Sequence, residues 1–312
     1  MKWNDKPYHS LDYELKKRYG EKIYRLSLNG GMTCPNRDGK ISTGGCIFCS
    51  AGGSGDFAGK AELSIKKQIQ SQKELIQGKR PVKKYIAYFQ AYTNTYASAE
   101  YLEHIFMEAI SLPEIAILSI ATRPDCLGDE ILELLARLNH IKPVWVELGL
   151  QTIHEDTAEF IRRGYRLACF ENAVRQLRSR GLEVIVHTIL FLPGENEARM
   201  VQTMDYLNRQ DIQGIKLQLL HILENTDLAA YYREHPFPVP TMDEYICLLI
   251  HCLERLSPDL VIHRLTGDGP RDLLIAPLWT MRKRTVLNTL YREMEVQNTW
   301  QGRYFTLSDE PL

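Results

Sequence analysis

Six times along this chain a short apolar segment is followed by a stretch that joins it to the next. That alternation limits the fold more than any other feature. The strand-like segments are residues 22–29, 84–90, 115–122, 143–150, 182–192 and 214–221, each apolar and rich in Val, Ile or Tyr. Helical spacing runs through 99–111, 129–139, 170–180 and 198–209, with Gly, Pro and Asp at the joins. Strands linked by helical crossovers lie parallel and wind in one direction. The predicted class is therefore α/β, as a barrel or a doubly wound sheet. In both architectures ligands sit at the C-terminal ends of the strands, so the residues just after each strand matter most.

Three parts flank this core. Residues 1–21 form a polar, partly helical lead-in. Residues 50–83 follow the first strand and end in a basic helix. Residues 225–312 hold a helix at 242–256, a strand-like piece at 260–265 and a basic terminal helix. The expected organisation is an N-terminal extension (1–21), a core (22–224) and a C-terminal extension (225–312) packed on it. Hydrophobic residues are 44% and charged residues 25% of the 312, which excludes a disordered or collagen-like chain. Thirty-eight basic against 39 acidic residues exclude a uniformly basic nucleic-acid binder, but not a local basic face. No run of 18 apolar residues and no apolar h-region occur, so neither a transmembrane helix nor a secretion signal is expected. The expected compartment is the cytoplasm, where seven cysteines do not read as a disulfide framework.

Cys34, Cys46 and Cys49, spaced C-x11-C-x2-C, fall in a glycine-rich loop after the first strand. Structural zinc takes four protein ligands in a closed tetrahedron, yet only three cysteines are local and the loop holds no His. Cubane iron–sulfur clusters are usually held by four thiolates, and three would leave one iron open. A zinc knuckle completed by a distant His or Cys is the competing reading. Cys169, Cys247 and Cys252 lie in apolar helical contexts and read as small core residues. Cys126 follows a strand end and reads as a packed thiol.

The triplet, set after a first strand and inside six βα units, resembles the radical S-adenosylmethionine (SAM) enzymes. The wide first gap and the wording CPN…GGC-x-FC are similar to the YhcC/YtqA-type family, whose core is related to the Elongator catalytic subunit. The resemblance runs through roughly residues 8–290. It includes QAYTNT at 90–95, ATRPD at 121–125, VELGLQT at 146–152, RRGY at 162–165, His187 and LPGE at 192–195. It implies a partial (βα)6 TIM-like barrel of the radical SAM type with helical N- and C-terminal extensions. It implies a [4Fe-4S] cluster on Cys34, Cys46 and Cys49. The open iron would chelate the amino and carboxylate groups of SAM, and one electron would release a 5′-deoxyadenosyl radical that abstracts a substrate hydrogen.

By the same resemblance, Glu147 and Gln151 bind the ribose or the methionyl end. Arg163 pairs with the methionyl carboxylate, and Thr93 with Asn94 supplies polar contacts. Pro193-Gly194-Glu195 stands near the adenine. Blander readings compete with each: an interior ion pair for Glu147, as with Arg123; a solvated helix end for Arg162 and Arg163; turn chemistry for Asn94; a satisfied core histidine for His187. Tyr92 and Cys126 are candidates to quench a substrate radical by position alone.

Two stretches are locally basic. Residues 60–84 hold eight Lys or Arg against two Glu, and residues 264–292 hold Arg271, Arg282, Lys283, Arg284 and Arg292 against two Asp, with Trp279, Tyr291 and Trp300 nearby. Such patches suit RNA, although on charge alone solvated helix faces are the preferred reading. The resemblance implies tRNA as partner, with conversion of the wobble uridine's carboxymethylaminomethyl group to aminomethyl. It also implies an electron donor such as flavodoxin or ferredoxin. The alternatives are a radical SAM enzyme on a porphyrin-like small molecule or a protein, and a zinc-bearing, non-catalytic RNA-binding protein.

Overall fold

The computed structural model describes residues 2–53, 55–76, 78, 81–267 and 269–306. Among them the strands are β1 (Tyr24–Leu28), β2 (Tyr85–Phe89), β3 (Ile115–Thr122), β4 (Val144–Gln151), β5 (Glu183–Leu190), β6 (Gly214–Leu219), β7 (Ile222–Leu223), β8 (Val261–Arg264) and β9 (Leu274–Ala276). The helices are α1 (Leu11–Tyr19), α2 (Ile65–Leu75), α3 (Ala99–Ile110), α4 (Asp129–Asn139), α5 (Glu155–Phe160), α6 (Leu167–Arg178), α7 (Glu197–Leu207), α8 (Asp227–Glu234), α9 (Met242–Arg255) and α10 (Lys283–Val296).

The main sheet runs β1-β2-β3-β4-β5-β6-β8, and each neighbouring pair is parallel. It curls into the expected partial barrel with helices outside. The strand-like piece in the 225–312 stretch is its seventh strand, paired to β6 through Gly214 and Val261. β7 and β9 make a small antiparallel ribbon beyond the end of β6.

The two faces of each strand explain the curl. Leu26, Leu28, Ala87, Phe89, Leu118, Ile120, Val146 and Leu148 point outward into one core shared with the helices. α4 shows the matching stripe, with Ile131, Leu132, Leu134, Leu135 and Leu138 buried. Burying each such side chain contributes ~1.5–3 kcal/mol. Caps fix the helix starts: Ser98 accepts from the Tyr101 N–H, Asn196 from Arg199, and Thr241 with Glu244 forms a capping box on α9.

The inward face is layered. Ile23, Ile86, Ile117, Trp145 and Ile185 fill the barrel's lower interior together with Leu15 of α1. Helix α1 therefore stoppers the end opposite the strand C-termini. Arg18, oriented within the helix by Glu14 (2.6 Å), ties it to Glu183 of β5 (2.7 Å).

Candidate active site

Above the apolar layer a polar belt crosses the barrel: Arg25, Tyr88, Ser119, Glu147, His187, Lys216 and His263, each an inward position on a different strand. Glu147 is fully buried at its centre. Ser119 Oγ donates to Glu147 Oε1 (2.7 Å), His187 Nε2 lies 2.6 Å from Oε2, and Lys216 Nζ donates to the same oxygen. Arg25 stands 3.7 Å from Oε1. Lys216 also donates to the Tyr88 hydroxyl (3.0 Å), and Arg25 lies 2.9 Å from His263 Nδ1. Burial by itself would raise the Glu147 carboxyl, but Lys216, Arg25 and His187 hold it well below the usual carboxylate range. This is the interior ion pair of the bland reading, with Lys216 in place of Arg123. Arg123 instead forks onto Asp125 (2.9 and 2.8 Å) and lies 4.9 Å from the Tyr165 ring.

The strand C-termini carry strained backbone. Tyr92 after β2, Gln151 at the end of β4 and Phe191 after β5 all have φ near +60° (57°, 64° and 62°). Non-glycine residues rarely adopt this conformation, and it concentrates at functional sites. Between Gly149 and Gln151 the β4–β5 register also shifts, a bulge that re-aims Gln151. Gln151 Oε1 then accepts from the Tyr165 hydroxyl at 3.2 Å.

All three cysteines of the triplet line one cavity of about 140 Å³. Thr93, Glu147, Gln151 and Arg163 line it too, with Tyr92, Arg123, Tyr165 and His187. The seven residues expected at the site are thus brought together. The loop that presents the thiols is anchored on both sides. Ile47 packs with Ile161, Leu192 and Leu228 in a satellite core, and its N–H donates to the Ile161 carbonyl (3.3 Å). Arg37 reaches back to the carbonyls of Cys49 and Ser50 (3.1 and 2.6 Å). Asn36, 1% exposed, donates to the Arg162 carbonyl (2.8 Å) and lies 3.6 Å from Cys46 Sγ. A hydrogen bond from Cys49 draws the Cys46 thiol down to about 7 against its burial, and Arg123, Asn36 and Arg37 add to the pull.

Each expected residue has a definite place. Thr93 is 1% exposed, and its N–H donates to the Thr33 carbonyl. Arg163 is buried, not a solvated helix end. It donates to the carbonyls of Tyr165 (2.9 Å), Thr152 (2.7 Å) and Leu150 (3.3 Å) and meets Glu155 at 3.3 Å. Arg162 is the exposed one, paired with Asp227. Asn94 Nδ2 donates to the Ala121 carbonyl, while its buried Oδ1 has no hydrogen-bond partner among the described residues. Glu195 accepts from Thr152, and burial raises its carboxyl. Tyr92 faces the cavity, but Cys126 lines a separate cleft with Pro35, Lys40 and Tyr96, and burial pushes its thiol up to about 12. Cys252 is a core residue as expected; Cys247 is exposed, a correction to the sequence reading.

Tyr88, Lys216 and Arg25 escaped the sequence reading, and His187 was set aside. The signal for Lys216 was a lone cation between Ile215 and Leu217 in an apolar strand. Beyond this belt lies a second chamber of about 580 Å³, which shares Phe48, Cys49, Tyr88, Gln90 and His187 with the cysteine cavity. All three thiols open on the same cavity. Among the described residues no three His, Cys, Asp or Glu are placed to hold a single metal ion. No fourth thiol lines the cavity among them either. That donor set fits a cluster of several metals with one position left open, in a cradle whose wall at Gly149 has no side chain.

Comparison with known proteins agrees with this geometry. The Radical SAM superfamily model matches residues 36–207, and a Radical_SAM C-terminal domain model matches residues 212–296. The YtqA protein of Bacillus subtilis is 42% identical over 306 residues, covering 98% of this chain and 95% of its own. The tRNA uridine(34) acetyltransferase of Methanocaldococcus jannaschii is 25% identical over 57% of this chain and 32% of its own. The structure of Methanocaldococcus infernus Elp3 with an N-terminal deletion superposes with a TM-score of 0.67. It is 15% identical and covers 89% of this chain and 64% of that one, a likeness of fold. Among the described residues no helix is long and apolar enough to cross a membrane.

Proposed function

Since this chain belongs to the radical SAM superfamily, we propose that it acts on tRNA, converting a carboxymethylaminomethyl group at C5 of the wobble uridine to aminomethyl. The observation that carries the RNA reading is the similarity of the core to tRNA uridine(34) acetyltransferases. In this reading Cys34, Cys46 and Cys49 hold the [4Fe-4S] cluster, and Thr93, Glu147, Gln151 and Arg163 form the SAM pocket. When bound, the cluster and SAM would supply a radical that takes a hydrogen from the carboxymethyl arm and would take back one electron; water then hydrolyses the resulting imine on the substrate, so the arm leaves as glyoxylate and the aminomethyl group remains.

The protein's own contribution is binding, orientation and exclusion of water. Arg163 keeps the β4 loop closed over the pocket, with Tyr165 against Gln151. Glu147, locked by Lys216 and His187, sets the pocket floor. The apolar layer and α1 below deny water a path from the far end of the barrel. An electron donor such as flavodoxin or ferredoxin completes the requirement.

The test is the modified-nucleoside profile of total tRNA, by mass spectrometry, with and without the gene. A wobble uridine stalled at the carboxymethylaminomethyl stage in the deletion is expected. An unchanged profile removes the tRNA assignment and leaves a radical SAM enzyme for another substrate.

A further inference from the structure

Asn36 is a buried polar side chain beside one of the three thiols, and packing alone does not explain it. It is 1% exposed. The turn around it is pinned: the Arg37 N–H donates to the Cys34 carbonyl (2.8 Å), and the Asn36 carbonyl accepts from the Gly45 N–H (2.7 Å). Its amide nitrogen Nδ2 lies 2.8 Å from the Arg162 carbonyl, 3.3 Å from the Arg163 carbonyl and 3.6 Å from Cys46 Sγ. These partners fix which way the amide faces. Turned over, it would set Oδ1 against two carbonyl oxygens, acceptor against acceptor. As it stands, Oδ1 is buried with no hydrogen-bond partner among the described residues. An unmet buried acceptor is destabilising, so this seat selects the donor end of the amide. The seat is also shaped for the side chain. Gly164 sits at φ +83° without a Cβ, and one there would fall 2.6 Å from Asn36 Oδ1.

The Cys46 sulfur meets different needs in two states. As a free thiol it donates to the Arg162 carbonyl at 3.5 Å. As a thiolate on iron it has no proton to give and faces that carbonyl acceptor to acceptor. The Asn36 amide has two N–H groups, one for the Arg162 carbonyl and one for the sulfur, and so separates the two acceptors. A hydrogen bond to a cluster-ligating sulfur favours the reduced, more negative cluster, which raises the reduction potential. We infer that Asn36 is a positioning residue that raises the reduction potential of the cluster through the Cys46 thiolate. Through the Arg162 and Arg163 carbonyls it also ties that thiolate to the turn that carries Arg163. The inference deepens the radical SAM reading and rests on the assignment of Cys34, Cys46 and Cys49 to the cluster. It does not depend on the tRNA assignment.

The experiment is a potentiometric titration of the anaerobically reconstituted full chain without SAM, followed by the EPR signal of the reduced cluster. Asn36→Ala removes the donor, and Asn36→Leu removes it while filling most of the space. Both variants should be reduced at a more negative potential than wild type, compared at equal iron per chain. The direction separates this role from a merely structural one. A loosened site that admits water would stabilise the more negative, reduced cluster and move the potential the other way. A second readout needs no variant that folds. Wild-type protein carrying heavy nitrogen in its asparagine side chains should show a hyperfine coupling of that nitrogen to the reduced cluster in pulsed EPR. Potentials equal to or above wild type in both variants overturn the inference, as does a wild type without the coupling. A chain that takes up no iron overturns the cluster assignment and the inference together. A lowered potential beside an unchanged tRNA profile supports the inference and removes the tRNA reading alone.

Discussion

Glu147 shows how one side chain holds the barrel's interior charge together. Its carboxylate meets Lys216, His187, Ser119 and Arg25 with no solvent access. A buried cation stripped of its only close anion is far costlier than either state of the pair. Glu147→Gln leaves Lys216 in that position and should cost about 3–5 kcal/mol, read as a lower urea midpoint. Adding Lys216→Met should restore part of the loss. The pH dependence has a definite sign. The folded carboxyl sits below its unfolded value of about 4.3, so its stabilisation is complete above that pH and is lost as pH falls towards the folded value. The wild-type midpoint should therefore fall on acidification below about pH 4.5, more steeply than that of Glu147→Gln. Parallel acid limbs in the two proteins would show that Glu147 is not the group that matters.

At the level of elements, the loop between β1 and α2 depends on a close approach that only glycine allows. Gly53 has φ +55°, and a Cβ there would lie 2.2 Å from the Tyr92 ring. Tyr92 is itself left-handed and donates to the Ala51 carbonyl, so the ring cannot swing away without releasing the loop. Gly53→Ala should lower iron retained after anaerobic reconstitution, from about four per chain towards the level of Cys46→Ala. Cys252→Ala, in the core of α9, should keep the full amount. Unchanged iron in Gly53→Ala would detach the loop's shape from its ligand function. Much of this was legible in the sequence, because strands with alternating outward Leu, Ile and Val carry their own signature. The left-handed ends at Tyr92, Gln151 and Phe191 were not, since tertiary contacts and no local residue preference impose them. Cys247 misled for a related reason: α9 buries Tyr245, Ile246, Leu248, Leu249 and Cys252, and residue 247 falls on the remaining outer face.

For the whole molecule, a formal charge of −1 hides an uneven distribution. That the strands lie parallel and wind in one direction followed from the helical crossovers between them, whereas the chamber could not be foreseen. Its cations come from β6, β8, the following loop and α10, which only the closed fold assembles. The basic stretch 264–292 therefore divides in two: Arg264, Arg271 and Lys283 face the chamber, while Arg282 and Arg284 are exposed beside its rim. Of the other basic stretch, Lys79 and Arg80 lie outside the described residues. If tRNA approaches over this rim, its phosphates meet Arg282 and Arg284 before a base enters. Each such contact releases counter-ions, so log K against log salt should fall with a slope of about −0.7 per phosphate contact. Arg282→Ala and Arg284→Ala should each make that slope shallower by about 0.7, and should weaken different tRNAs alike. Thermal midpoints should stay put, because both side chains are exposed. Filter binding across a salt series measures all of this, and a slope equal to wild type in the double variant would place the RNA on another face.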